Sequence, residues 1–196
     1  GKVSGKEDPK VVAIQEARRL GYDLAKPDIN LSEYEFTNDP SDPKRLIPSM
    51  ASLKYVGKSA LSEIKQHRPY KRVEDLLVNS GNAGWRHSKF NKRTFETLIK
   101  LEALDSMGLV GSGKLFRHYR EMYEVLIVGY DKLKRVSARK KNNDVSAEIQ
   151  EMLGLYRLSH RTELDDDWTT QEKIKHSSEL AGTVDINLIL PPDVKK

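Results

Sequence analysis

Leu53-Lys54-Tyr55-Val56-Gly57-Lys58-Ser59-Ala60-Leu61-Ser62-Glu63-Ile64 is the stretch on which the reading of the fold turns. Gly57 supplies a tight turn, because glycine enters left-handed backbone without a Cβ clash. Residues 59–66 then follow as an amphipathic helix, and residues 47–53 read as its partner before the turn. A hairpin that opens directly into a helix aims successive backbone N–H groups and the positive end of the helix dipole at one spot, which suits a phosphate-sized anion. Lys54 and Lys58 add charge there, and Gly57 permits close approach. The same pattern also describes an ordinary helical hairpin that binds nothing.

A second unit of similar outline lies downstream. Asn91 caps a helix running to residue 100 with Phe95, Leu98 and Ile99 inward, residues 101–104 turn, and a long helix follows over residues 112–133. Residues 73–79 read as a connecting helix, residues 81–84 as a turn, and residues 85–90 as a basic approach to the second unit. Upstream, Asp8 caps a helix over residues 9–20 that Pro9 begins and Gly21 ends, with Val11, Ile14 and Ala17 in an apolar stripe. Residues 26–43 contain three prolines and read as extended loop with a short strand at 34–36. Six of the ten residues 132–141 are Lys or Arg, and 142–147 are polar without periodicity, which predicts a mobile charged linker. Thr169 and Glu172 have capping-box spacing for an exposed helix ending at Gly182, and residues 184–190 read as a strand.

Composition narrows the function classes. With 196 residues, 37% hydrophobic and 32% charged, the chain reads as a soluble, mostly helical protein of one medium or two small domains. No apolar run approaches a membrane span, and residues 1–10 hold nothing like a secretory signal. There is no cysteine, and the five histidines lack ligand spacing, so no zinc site is expected and a cytoplasmic setting is compatible. The net charge of +5 is uneven: −3 over residues 1–43, +9 over 44–100 and −1 over 101–196. A +9 centre is what a surface facing a polyanion requires, and a merely solvated basic face has the same charge.

The run from Leu53 to Ile64 resembles a helix-hairpin-helix motif, with Tyr55 where the first hairpin glycine normally sits. Tyrosine there either stacks on a sugar or hydrogen-bonds a phosphate or, as its more frequent role, closes the hairpin by packing. The order of segments is more specific. Ala17-Arg18-Arg19-Leu20-Gly21-Tyr22-Asp23-Leu24-Ala25-Lys26-Pro27-Asp28-Ile29-Asn30-Leu31-Ser32 resembles the end of the fingers region of C-family bacterial replicative DNA polymerases, the polymerase III alpha subunits. Tyr70-Lys71-Arg72-Val73-Glu74-Asp75-Leu76 is similar to that family's aromatic-basic stretch. Residues 91–100 and Ala103-Leu104-Asp105-Ser106-Met107-Gly108 resemble its second hairpin unit, with Glu102 in place of a glycine, and residues 168–182 resemble the helix before its OB domain.

The resemblance implies a mainly α fold: a fingers-end helix and loop (1–43), a tandem helix-hairpin-helix domain with a long helix (44–133), and a charged linker with a trailing helical connector toward an OB domain (134–196). It implies sequence-independent binding of duplex, primer-template DNA through phosphates. The residues that would carry it are Lys54, Tyr55, Val56, Gly57, Lys58 and Ser59 of the first hairpin, with Arg72, Lys89, Lys92 and Arg93. In this family the metal-binding aspartates lie upstream of the matched region, so Mg2+ belongs to the full polymerase and no cofactor is expected here. The partners implied are double-stranded DNA and the rest of the polymerase, and the lost glycines fit a divergent, phage-encoded enzyme. The rival reading is a stand-alone helix-hairpin-helix DNA-binding protein of repair or recombination.

Three weaker signals remain. Gly108-Leu109-Val110-Gly111-Ser112-Gly113-Lys114 is followed by Leu115 where a P-loop needs Ser or Thr, so it reads as a turn. Asp165-Asp166-Asp167 reads as helix capping. Gln150, Met152 and Leu153 resemble the glutamine-led peptide with which the family docks on the sliding clamp; the other reading is an amphipathic helix with Ile149, Met152, Leu153 and Tyr156 inward.

Overall fold

The computed structural model describes residues 9–77, 88–139, 144–160 and 166–182. Helix α1 (Pro9–Arg19) ends as its sequence dictates: Gly21 turns left-handed, and the Gly21 and Tyr22 amides donate to the carbonyls of Arg18 and Ala17 at 2.9 and 3.0 Å. Where an extended loop was expected, the chain builds a small sheet of β1 (Asp23–Leu24), β2 (Thr37–Asp39) and β3 (Asp42–Ile47). Its order is β1-β3-β2, with β1 parallel and β2 antiparallel to β3. The turn joining β2 to β3 is held by Asp39 Oδ1, which accepts from the Ser41 amide at 2.9 Å and its hydroxyl at 2.7 Å.

The expected strand at 34–36 therefore falls three residues later, at Thr37–Asp39, and the expected helix over residues 47–53 is not formed. Pro48 follows β3 without an N–H to donate, and the Ser49 hydroxyl accepts from the Ala51 amide at 3.1 Å while donating to the Tyr34 carbonyl at 2.6 Å. A side chain that competes for backbone partners in this way diverts the chain into turns.

The remainder is helical: α2 (Gly57–Gln66), a 3-10 helix Val73–Leu76, α3 (Lys92–Lys100), a 3-10 helix Asp105–Met107, α4 (Tyr119–Leu126), α5 (Tyr130–Arg139), α6 (Ser146–Ser159) and α7 (Thr170–Ala181). The mainly α class is thus observed. The connecting helix shrinks to Val73–Leu76, while residues 78–87 and 183–196, which carry the expected turn and terminal strand, lie outside the described residues. One core joins the elements from α2 to α6, with Ile29, Met50, Leu61, Ile64, Leu98 and Leu126 sealed from solvent. Tyr70, Phe90 and Phe95 meet edge to face at 6.5 and 5.7 Å.

The single long helix expected over residues 112–133 is two, α4 and α5, parted at residues 127–129. A Cβ on Gly129 would lie 2.5 Å from the Val125 carbonyl oxygen and 2.7 Å from the Met152 side chain, so glycine lets α6 pack against the break. The expected mobile linker is also corrected. Residues 132–139 are helical because Leu133, Val136 and Ser137 follow three- and four-residue steps, and Leu133 and Ser137 are fully buried. Residues 140–143 lie outside the described residues.

Helix α6 turns Ile149, Leu153 and Tyr156 inward, as the amphipathic reading expects. It is locked to α4 through Glu121, whose side chain has no exposure and accepts from the Arg117 amide at 3.0 Å, Arg117 Nε at 2.7 Å and Arg157 Nη2 at 2.8 Å. Burial would raise this carboxyl's pKa, but Arg157 and Arg117 outweigh it and hold it below the usual glutamate value. Asp166 is buried rather than a surface cap, accepting from the Tyr156 hydroxyl at 2.7 Å.

Two outcomes follow from this packing. Gly129→Ala should lower stability in urea melts by about 1–3 kcal/mol through overpacking against Val125 and Met152. Since the folded-state pKa of Glu121 is depressed, its contribution is full above the ordinary glutamate range and fades as pH falls through the lowered value. Glu121→Gln should therefore be less stable at pH 7 by roughly 1–3 kcal/mol and lose less on acidification below about pH 4, a difference that thermal melts across pH would read.

Candidate nucleic-acid interface

Leu53 and Val56 anchor the first hairpin in the core, each 6% exposed, and leave Lys54 and Tyr55 outside between them. Leu53 and Val56 amides donate back to Met50 and Leu53 carbonyls at 3.2 and 3.1 Å, and the chain passes through left-handed backbone at Tyr55 (φ 66°) and Gly57 (φ 64°). The hairpin's inward carbonyls are satisfied by α3: the buried Thr94 hydroxyl donates to Tyr55 O at 2.5 Å and the buried Thr97 hydroxyl to Lys54 O at 3.1 Å. From the other side, the Lys54 amide donates to Leu180 O at the end of α7 at 2.8 Å. Helix α7 is capped at Thr169 with Glu172, as expected, and that helix braces the hairpin.

The outward side of this hairpin is open. No side chain caps α2, nothing stands within 4 Å of a Cβ placed on Gly57, and Lys54, Lys58 and Ser59 are exposed around it. Tyr55 does not close the hairpin by packing. Its ring is 45% exposed and lies beneath two cations, with Arg93 Cζ 4.9 Å and Lys54 Nζ 5.3 Å from its centroid.

The second hairpin repeats the backbone but not the surface. Glu102, like Tyr55, holds left-handed backbone (φ 56°), so both replaced glycines keep the glycine conformation. Here the amides are taken. Ala103 N donates to Leu98 O at 2.8 Å, Leu104 N to the Tyr119 hydroxyl at 3.2 Å, and Ser106 N to Asp28 Oδ2 at 3.0 Å. The Ser106 hydroxyl adds a 2.6 Å bond to Asp28 Oδ1, so a carboxylate of the chain itself fills the place where an outside anion would sit. Glu102 pairs with Lys26 at 2.8 Å and Lys173 at 3.5 Å, which makes this turn acidic and covered. The Lys26 pKa is raised even though burial opposes it, because Glu102 and Asp105 stabilise the cation.

The remaining candidates divide. Arg93 joins Tyr55, and Lys92 lies beside it at the start of α3, its Nζ 5.7 Å from the Tyr130 ring and 3.4 Å from Asp131. Lys89 is exposed where Glu63 gathers the Ser88, Lys89 and Phe90 amides at 3.0, 2.6 and 3.2 Å. Arg72 is exposed on a separate element, ahead of the 3-10 helix. Of the residues read as a clamp peptide, Gln150 is exposed, Met152 is half-buried against Gly129, and Leu153 is 2% exposed, so the pair is not presented to solvent. Sequence reasoning passed over Thr94, Thr97 and Asp28. The two threonines lie within the apolar stripe of α3, and that placement of hydroxyls is the signal that could have found them.

Comparison with known proteins agrees with this geometry. Residues 21–111 match a family model described as a helix-hairpin-helix motif, a span that takes in both hairpins. A DNA polymerase III subunit alpha from Pseudomonas fluorescens is 33% identical over 104 residues, 52% of this chain. Those of Saccharopolyspora erythraea and Campylobacter jejuni are each 26% identical, over 90% and 89% of it. The chain spans only a small part of these relatives, 8% of the first and 14% of the other two. The chain thus carries a helix-hairpin-helix motif over residues 21–111 and is similar, over up to 90% of its length, to part of the DNA polymerase III alpha subunits.

Proposed function

We propose that this chain binds duplex DNA through backbone phosphates, without reading base sequence, as a non-catalytic part of a replicative polymerase. The observation that carries this reading is the contrast between the hairpins. The first begins an uncapped helix at an open glycine between exposed lysines, whereas the second has its amides filled by Asp28 and Tyr119. Phosphate therefore meets donors only at the first, where amides at a helix start, Lys54, Lys58 and Arg93 act together. The Tyr55 ring holds Arg93 and Lys54 close by and offers its own exposed surface to a sugar. Such contacts position a duplex and leave base edges unread.

Among the described residues no three His, Asp or Glu side chains come together in a way that could hold a metal ion. No helix among them is long and apolar enough to cross a membrane.

Anisotropy titrations of a primer-template duplex across salt test the proposal. Lys54→Gln/Lys58→Gln should reduce affinity at least several-fold and lower the log-log salt slope by about 1.8, near 0.9 for each phosphate no longer neutralised. Strong preference for one duplex sequence, or a wild-type slope in this variant, would remove the hairpin from the interface. Tyr55→Gly separates conformation from contact. Relief of left-handed strain of about 1–2 kcal/mol offsets a looser unfolded chain worth about 0.5–1, so stability should hold while DNA affinity falls for want of the ring.

A further inference from the structure

We infer that the outward face of α5 is a second DNA-backbone contact, continuous with the first hairpin. The inference rests on the reading of that hairpin as a phosphate grip. Around α5, Tyr130, Leu133 and Ser137 face the core, Asp131, Lys132, Arg135 and Arg139 are exposed away from it, and Lys134 is exposed at its flank. The single acid on that face is already engaged, with Lys92 Nζ 3.4 Å from Asp131. That contact also supplies the continuity. Lys92 and Arg93 are neighbours in the first turn of α3; Arg93 lies over the Tyr55 ring, and Lys92 lies over Tyr130 at the start of α5. Basic surface therefore runs from Lys54 through Arg93 and Lys92 onto Lys134 and Arg135.

Two features favour a polyanion over a protein partner. The described side chains on this face are all charged, with no aromatic or aliphatic centre of the kind that nucleates a protein interface. Lys132 with Arg135, and Arg135 with Arg139, are like charges at three- and four-residue spacing, which weaken a free helix. A phosphate backbone relieves that repulsion. Ten residues of α5 span about 15 Å, enough to follow roughly four further base pairs.

The test compares duplexes of about 10 and about 24 base pairs across salt, with four versions of this chain, each checked for helical content. They are wild type, Lys54→Gln/Lys58→Gln, an α5 variant (Lys132→Gln/Lys134→Gln/Arg135→Gln/Arg139→Gln), and a control losing four charges elsewhere (Lys44→Gln/Arg45→Gln/Lys114→Gln/Lys175→Gln). The α5 variant should lose about tenfold or more on the long duplex, with the salt slope lower by roughly 2–4, and stay near wild type on the short one. Wild-type binding of the long duplex, equal loss on both lengths, or a loss no greater than the control's would overturn the inference. Failure of the hairpin reading shows separately, as wild-type binding of the short duplex by the Lys54→Gln/Lys58→Gln variant.

Discussion

Two buried hydroxyls hold the molecule's working surface in place. Thr94 and Thr97 rise from the inner face of α3 and donate to the carbonyls of Tyr55 and Lys54, which the turn would otherwise leave unpaired against the core. Buried backbone groups without partners destabilise a fold, so the first hairpin can keep its strained left-handed step at Tyr55 only while α3 stays docked. The aromatic contacts of Phe90, Phe95 and Tyr130 fix α3 in turn, and Leu180 at the end of α7 engages the Lys54 amide from the other side. Elements distant in sequence thus converge on two hairpin residues, Lys54 and Tyr55.

The same constraint separates the two hairpins in purpose. Both place a non-glycine residue in left-handed backbone, and both need their polar atoms satisfied. At the first, the satisfied atoms face inward and the donors of the helix start face outward. At the second, Asp28, Tyr119 and Lys26 close the surface, and Asp28 is itself held by the Ser32 hydroxyl, which accepts from the Asp28 amide at 2.9 Å. The Asp28 carboxylate on a hairpin amide ties the upstream loop to the domain.

Charge then acts on what packing has arranged. Glu121 shows a buried carboxylate whose pKa two arginines hold down, Arg117 from the turn before α4 and Arg157 from α6, and the second of these ties the two helices together. On α5 the opposite holds: Leu133 and Ser137 dock the helix, and among the described residues no buried acid is paired with its basic side chains. Burial decides in each case whether a charge is structural or available.

What the sequence determined by itself is what depends on neighbours along the chain. Asn91 as the cap of α3, the Thr169 and Glu172 box of α7, the inward stripe of α6, the turn at Gly57 and the two departures from glycine at Tyr55 and Glu102 are local signals, read from spacing and from backbone preference. The basic centre and the order of segments sufficed to point to a polymerase III alpha region. Tertiary structure alone decided the rest. Charged residues around Leu133 hid the periodicity of α5, Met152 packs against the break in the long helix at Gly129, and Ser49 reaching to Tyr34 replaced a helical arm with turns. Which hairpin stays open depends on where Asp28 finds its donors, 78 residues away in the chain, and no pattern of adjacent residues records a hydrogen bond of that range.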